Sequence, residues 1–153
     1  MIISAKPYPS ITELSTQIDQ YDIKNISFFL LGRDALLSAI LNLGLKKGDS
    51  IIVPAYMCDS AIKPLEIYGF NLIYVDVKTD LTLSLVEIKK IIKNNLIKAL
   101  LAVHYFGFTK EFDNIIGLCH KSGIKVIEDA SHSFMSQLLR NNDDIKCDAE
   151  IFS

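Results

Sequence analysis

The sequence has no tryptophan and only three cysteines among its 153 residues. Cys58, Cys119 and Cys147 lie far apart and form no Cys-x-x-Cys pair, so neither a disulfide framework nor a zinc site is predicted. This cysteine usage is typical of a protein of the reducing cytoplasm. Basic residues are not in excess either, since the sequence has 16 lysines and arginines and 18 acidic residues, and it contains no basic block. Nucleic acid and anionic membranes are therefore not expected partners, and a small molecule is favoured.

Long apolar runs are missing as well, although 50% of the residues are hydrophobic. No segment reaches the roughly 20 apolar residues that span a bilayer, because runs such as IIVPAYM soon end at polar residues. The first residues are interrupted by Lys6, Pro7 and Pro9, so no signal peptide is expected. The high apolar content fits strands that are buried on both faces, and the length suits one domain.

Apolar segments of strand length alternate with segments of helical periodicity along the chain. Ser84, followed three residues later by Glu87, is a capping box that predicts the start of a helix. The predicted helices cover residues 10–20, Gly32 to Gly44, MCDSAIKPLEIYGF, Ser84 to Asn94 and Glu111 to Lys121. The predicted strands are SFFLL, SIIVP, NLIYVDV, IKALLAV, IKVIE and AEIFS. This alternation predicts an α/β domain with a mainly parallel sheet and helices on both faces.

Polar residues follow most of these predicted strands, at the edge where parallel sheets bind their ligands. The residues at this edge are Gly32-Arg33-Asp34, Tyr56 through Asp59, His104, Asp129 with His132, and Ser153. Each alone has a structural explanation, such as a turn glycine or a capping aspartate. Their convergence on one edge favours a ligand site.

Several chemistries can be compared at this edge. A phosphatase with an aspartyl nucleophile is not indicated, because it needs a second acidic residue where the segment VDVKTD has Lys78. A nucleotide-phosphate loop is not indicated either, because GRDAL is neither a Walker loop nor a Gly-x-Gly-x-x-Gly turn. A glycine at a helix start can still bind one phosphate through backbone N–H groups. Together with Asp129, which could face a protonated ring nitrogen, it suits a phosphorylated heteroaromatic cofactor such as pyridoxal phosphate.

Five blocks of the sequence carry a resemblance to a known family. These blocks are GRDALLSAILNLGLKKGDSIIVPAY, YVDV, VHYFG, KVIEDASHSF and IFS. In this order and spacing the chain resembles the sugar aminotransferases of the DegT/DnrJ/StrS group, which are fold-type I pyridoxal phosphate enzymes. The resemblance extends from about Phe29 to Ser153. It implies an N-terminal segment at residues 1–28 and part of the large cofactor domain at residues 29–153.

The resemblance assigns cofactor contacts to particular residues. Gly32 and Asp34 match the turn whose backbone amides hold the cofactor phosphate, and Ser153 matches a serine that reaches the same phosphate. Arg33 departs from the family pattern and either binds the phosphate or is a solvated residue. Asp129 matches the carboxylate that pairs with the pyridinium nitrogen, and His132 matches a residue near the phenolic oxygen.

Two further positions concern the pyridine ring of the cofactor and the residues around it. Cys58 occupies the position of the family's stacking aromatic, so either Cys58 lines the ring or Tyr56 packs on it instead. His104 matches a histidine below the site, to which we assign a structural role or a role in supporting the residues that contact the cofactor, rather than a catalytic one.

The family's Schiff-base lysine follows the matched serine, and no lysine of this sequence lies at a corresponding position. No residue of the sequence is therefore assigned a covalent role. The resemblance implies the N-terminal part of a homodimeric cytoplasmic enzyme of amino-sugar or lipopolysaccharide biosynthesis. Such an enzyme moves an amino group from an amino acid, glutamate in this family, to a nucleotide-linked keto sugar. The alternative is a non-catalytic module of the same fold that binds a phosphorylated ligand or a partner chain.

Overall fold

The computed structural model of the chain describes residues 27–108, 112–132 and 146–151. In these parts one sheet contains five strands in the spatial order β2-β1-β3-β4-β5, and all of the pairings between them are parallel. The strands are β1 (Ser50–Pro54), β2 (Asn71–Val75), β3 (Ile97–Val103), β4 (Lys125–Asp129) and β5 (Ala149–Ile151).

Helices connect the first four strands and precede β1. They are α1 (Gly32–Asn42), α2 (Asp59–Tyr68), α3 (Leu85–Asn94) and α4 (Asp113–Lys121), with one turn of 3₁₀ helix at Tyr105–Gly107 after β3. Among the described residues, no helix combines the length and the apolar character that crossing a membrane requires.

The two faces of the sheet carry separate hydrophobic cores, because successive residues of a strand point to opposite sides. Ile52, Leu100 and Val126 face one core, which also contains Ile88 of α3 and Ile116 of α4. Ile51, Leu101 and Ile127 face the other core, which contains Leu36 and Ile40 of α1 and Ile62 and Leu65 of α2. The helices therefore cover both faces of the sheet, as the alternation in the sequence predicted.

The short strand β5 is attached to its neighbours by a cluster of polar bonds around Asp148. One carboxylate oxygen of Asp148 accepts a bond from the Val126 N–H at 2.8 Å and lies 3.0 Å from Nε2 of His120, and the other accepts from Lys125 at 2.7 Å. Burial alone would raise the pKa of Asp148, but the bonds from Lys125, Val126 and His120 outweigh it and lower the pKa below its ordinary value.

Most of the elements expected from the sequence are confirmed, but the expected strand SFFLL is wrong: residues 27–31 are irregular, because no strand of the described sheet pairs with them and side chains such as Leu30 are exposed. The Glu87 N–H donates to Oγ of Ser84 at 3.4 Å, as expected for the start of α3. Pro64 lies inside α2, and α4 is described from Asp113 onward. The expected helix at residues 10–20 lies outside the described residues.

Two glycines give a matched prediction about stability. Gly69 ends α2 with a φ of 101°, and a Cβ there would lie 2.9 Å from Cε of Lys47. We expect Gly69→Ala to lower the free energy of unfolding by about 1–2 kcal/mol, because an L side chain is strained in this left-handed conformation. Urea denaturation measures this change.

The control for this prediction is Gly117→Ala inside α4. A Cβ at Gly117 meets no atom within 4 Å, so the alanine should raise stability by up to about 1 kcal/mol. A Gly69→Ala protein that is as stable as the Gly117→Ala protein would contradict the left-handed end of α2.

Candidate functional site

A cavity of about 530 Å³ lies at the carboxyl edge of the sheet, between the start of α1 and the ends of β3 and β4. Its volume is in the range of small-molecule sites. Its lining includes Gly32 and the polar or aromatic residues Arg33, Tyr56, Cys58, Ser60, His104, Tyr105, Phe106, Asp129, Ser131 and His132.

The first turn of α1 forms one wall of the cavity. Leu31 precedes the helix and provides no side-chain cap, while its carbonyl accepts bonds from the N–H groups of Asp34 at 3.0 Å and Ala35 at 3.2 Å. Because the first N–H groups of any helix have no partner inside it, those of Gly32 and Arg33 are available to an anion. A Cβ on Gly32 would have only Oγ of Ser131, at 4.0 Å, near it, so the approach to these amides is open.

Asp129 lines the cavity at the end of β4. Its Oδ1 accepts hydrogen bonds from the backbone N–H of Ser131 at 3.0 Å and from Oγ of Ser131 at 2.5 Å. These bonds fix the orientation of the carboxylate. The cavity therefore combines a fixed negative group with helix amides that favour a bound anion.

Glu128 and Asp129 point to opposite faces of the sheet because they are successive residues of β4. Glu128 is buried, and its Oε2 lies 2.8 Å from Nε2 of His104, which is also buried. The His104 ring also contacts the ring of Phe112 edge-on, with centroids 5.2 Å apart. Only Asp129 of the two acids therefore lines the cavity.

Two tyrosines shape the loop after β1. The hydroxyl of the buried Tyr105 donates to the backbone carbonyl of Tyr56 at 2.7 Å, and the two ring centroids lie 5.5 Å apart. Burial, followed by the negative charges of Asp129 and of Tyr56, raises the pKa of Tyr105 to about 12. Tyr105 is therefore a neutral hydrogen-bond donor that holds the loop of Tyr56 in place.

Cys58 lies in the same loop, with its thiol exposed. Its Sγ is 3.0 Å from Oγ of Ser60, and the hydrogen bond with this side chain lowers the pKa of Cys58 below its ordinary value. Tyr56 and Cys58 both line the cavity. Either side chain can therefore contact a flat ring bound there.

Phe106 has a strained backbone at the rim of the cavity. Its φ of 56° and ψ of 26° lie in the left-handed region, which few residues other than glycine adopt. Such strain is concentrated at binding and catalytic sites. It adds to the evidence that this cavity is a functional site.

Comparison with known proteins identifies the family. The model of the DegT/DnrJ/EryC1/StrS aminotransferase family matches residues 25–153. The chain belongs to this family. The match confirms the resemblance that the sequence blocks indicated, and the parallel α/β fold agrees with it.

Individual relatives are similar over part of their length. A GDP-4-keto-6-deoxy-D-mannose 3-dehydratase of Yersinia pseudotuberculosis is 35% identical over 94 residues, which are 61% of this chain and 24% of that protein. The crystal structure of DesV from S. venezuelae in complex with a ketimine intermediate has a TM-score of 0.60 and 30% identity, over 67% of this chain and 28% of DesV.

A third relative is a solved GDP-4-keto-6-deoxymannose-3-dehydratase with a trapped PLP-glutamate geminal diamine. It has a TM-score of 0.59 and 32% identity, over 67% of this chain and 28% of the dehydratase. In these three comparisons the chain therefore spans about a quarter of each relative.

The residues predicted from the sequence lie in three places. Gly32, Arg33, Cys58, Asp129 and His132 surround the cavity. Asp34 is exposed on the first turn of α1 and is not among the described lining residues. Ser153 lies outside the described residues.

Tyr105 and Ser131 are site residues that sequence reasoning missed, although each had a signal. Ser131 follows Asp129 by two residues, the spacing at which an aspartate accepts a bond from the backbone ahead of it. Tyr105 stands in the block VHYFG directly after β3. None of the cavity-lining residues that the structure describes is a lysine.

Proposed function

We propose that this chain forms the cofactor-binding part of a pyridoxal phosphate-dependent aminotransferase that acts on a nucleotide-linked keto sugar. One observation carries the proposal: in a chain of this family, the Asp129 carboxylate and the start of α1 face one cavity. A cofactor with a dianionic phosphate and a basic ring nitrogen needs both of these groups within one small site.

The residues of the cavity fit the cofactor in a defined orientation. The N–H groups of Gly32 and Arg33 bind the phosphate, and the Arg33 guanidinium adds a charge-assisted bond. Asp129, oriented by Ser131, accepts a hydrogen bond from the protonated ring nitrogen. When bound, pyridoxal phosphate supplies the electron sink for reactions at the carbon atom that bears the amino group.

The remaining cavity residues position the ring and limit its exposure. His132 contacts the phenolic oxygen, and Asp34 and Ser153 belong to the phosphate site by family resemblance. Tyr56 or Cys58 covers one face of the ring, and Tyr105 keeps their loop in place through the bond to the Tyr56 carbonyl.

The substrate classes follow from the relatives. Two of the relatives act on a GDP-linked 4-keto-6-deoxy sugar, and one of these two was trapped with glutamate on its cofactor. We therefore assign a nucleotide-linked keto sugar and an amino-acid donor, glutamate by preference, to the whole enzyme. Its product belongs to amino-sugar biosynthesis, such as that of lipopolysaccharide.

The same relatives favour a second candidate function. Both are named as 3-dehydratases, with 35% and 32% identity to this chain. An aminotransferase replaces the keto oxygen of the sugar by an amino group, whereas a dehydratase removes a hydroxyl group from it. Mass spectrometry of the sugar product distinguishes the two reactions.

The proposal also covers the rest of the enzyme. Because the chain spans about a quarter of its relatives, we assign the Schiff-base lysine, most of the substrate site and a C-terminal domain to other residues of the whole protein. A homodimer in the cytoplasm, expected from the sequence, is part of the same proposal.

The direct test uses the protein expressed from the complete reading frame. It is loaded with pyridoxal phosphate, desalted and assayed with glutamate and a GDP-linked 4-keto-6-deoxy sugar. Formation of 2-oxoglutarate and an amino sugar supports the proposal. Cofactor binding without turnover on any nucleotide-linked keto sugar would favour the non-catalytic module, and no cofactor binding would overturn both.

Gly32→Ala separates binding from stability. A methyl group on Gly32 meets only Oγ of Ser131, at 4.0 Å, so we expect little change in melting temperature. The methyl group does enter the space of an anion at the helix start, so the Kd for pyridoxal phosphate should rise at least about tenfold. Fluorescence titration measures this Kd, and an unchanged value would contradict the assignment of the phosphate to α1.

A further inference from the structure

The buried pair of His104 and Glu128 has no part in the cofactor contacts described above. The two side chains are 0% and 3% exposed, and Nε2 of His104 lies 2.8 Å from Oε2 of Glu128. Withdrawing two such groups from water is unfavourable unless they pair, and apolar residues of similar size would fill the same space without that cost. The presence of this pair directly beside a ligand cavity therefore calls for a reason other than packing.

The position of the pair connects it to Asp129. His104 follows the end of β3, where Val103 is in register with Asp129 of β4. Its backbone N–H donates to the Asp129 carbonyl at 2.9 Å, and its ring reaches Glu128, the preceding residue of β4. His104 therefore holds the end of β4 at two successive residues, once through its main chain and once through its side chain.

The carboxylate of Asp129 is restrained independently on its other side. Ser131 donates to Oδ1 from its N–H and from its hydroxyl. These bonds fix how the carboxylate is turned, but they arise from the same loop and move with the end of β4. Backbone pairing with Val103 and Ile151 holds Asp129 in the sheet, and the bond between His104 and Glu128 adds a side-chain link from β3 to the same end of β4.

We propose that His104 and Glu128 form a positioning pair that fixes Asp129 at the distance at which it keeps the cofactor's ring nitrogen protonated. This inference rests on the proposed function, because Asp129 has this role only in a site that binds pyridoxal phosphate. The proposed function assigns the ring nitrogen to Asp129 and not to the pair, so both residues act through Asp129.

The test measures the ring nitrogen directly. The protein from the complete reading frame is loaded with pyridoxal phosphate labelled with ¹⁵N in the ring, and its ¹⁵N chemical shift reports protonation. We expect a protonated nitrogen in the wild type and an unprotonated one in Asp129→Asn. Failure of the wild type to bind the labelled cofactor overturns the proposed function, and the role of the pair with it.

The decisive variant is the double change His104→Leu with Glu128→Met. It replaces both members of the pair together, so neither is left without the other, and stability should fall less than in either single variant. We expect its ¹⁵N shift to move toward that of Asp129→Asn and its Kd for the cofactor to rise about tenfold, as for other residues that orient a ligand. A double variant with wild-type stability and a wild-type ¹⁵N shift would overturn the inference.

Two comparisons keep the test decisive if the double variant does not fold. Gln at position 104 can reach Glu128 and donate to it, whereas the shorter Asn cannot, so only His104→Gln should keep the wild-type ¹⁵N shift. An equal shift in His104→Asn and His104→Gln would contradict the pair's role. Phe112→Leu loosens packing against the His104 ring and should lower the melting temperature without moving the ¹⁵N signal.

Discussion

Asp129→Asn is expected to lower the turnover of the complete enzyme by at least about 100-fold while the protein remains folded. Asparagine keeps an oxygen that can accept the bonds from Ser131, so the local structure should survive. The negative charge that stabilises the protonated ring nitrogen is lost, and the cofactor becomes a weaker electron sink. Steady-state kinetics at saturating pyridoxal phosphate, with cofactor occupancy measured by absorbance, give the size of the effect.

Ser131→Ala is the matched control for this change. It removes the hydroxyl bond to Oδ1 of Asp129 but keeps the charge and the backbone N–H bond, so its loss of turnover should be smaller. Near-normal turnover of Asp129→Asn at full occupancy would mean that Asp129 only stabilises the loop after β4.

Borohydride trapping of the loaded protein is expected to leave every described lysine of this chain without stoichiometric label. None of these lysines lines the cavity, and the exposed Lys63 donates to Glu66 at 3.1 Å. This bond with Glu66 raises the pKa of Lys63, so its amine is protonated and a poor nucleophile at neutral pH. In the complete protein, the label should fall on one lysine outside the described residues, as peptide mapping after proteolysis can establish.

Lys63→Arg provides the control for this prediction, because it keeps the charge beside Glu66 and cannot form an imine. The yield of trapped cofactor should be the same with and without this change. Stoichiometric label on Lys63 or on another described lysine, together with transaminase turnover, would show that the active site lies elsewhere. Absence of label from every lysine would favour a non-catalytic protein.

The fold was predictable from the sequence because strand and helix periods alternate clearly. The buried segments SIIVP and IKALLAV form β1 and β3, and the Ser84 cap starts α3 where the capping box indicated. The order of the strands in space was not predicted, since it depends on which neighbours each strand meets rather than on its own sequence.

The site was predictable where a residue stands at the end of a predicted strand or at the start of a predicted helix. Asp129 and Gly32 were found in this way, and the structure places both at the cavity. The bond from Tyr105 to the Tyr56 carbonyl joins positions 49 residues apart, and the pairing of His104 with Glu128 joins positions 24 apart. Local sequence patterns contain no information on partners so far apart in the chain, so these two contacts could not be predicted from the sequence.

The path of the chain through the sheet accounts for the location of the cavity. Beside β1, β2 lies on one side and β3 on the other, so the strand order reverses its direction at this point, which is the topological switch point of the sheet. After β1 the chain passes to α2 on one face, and after β3 it passes to α4 on the other. Because the two connections leave the sheet toward opposite faces, a crevice forms between them, and no additional loop is needed to form it. The crevice is therefore preserved by the topology and does not depend on the side chain at Cys58.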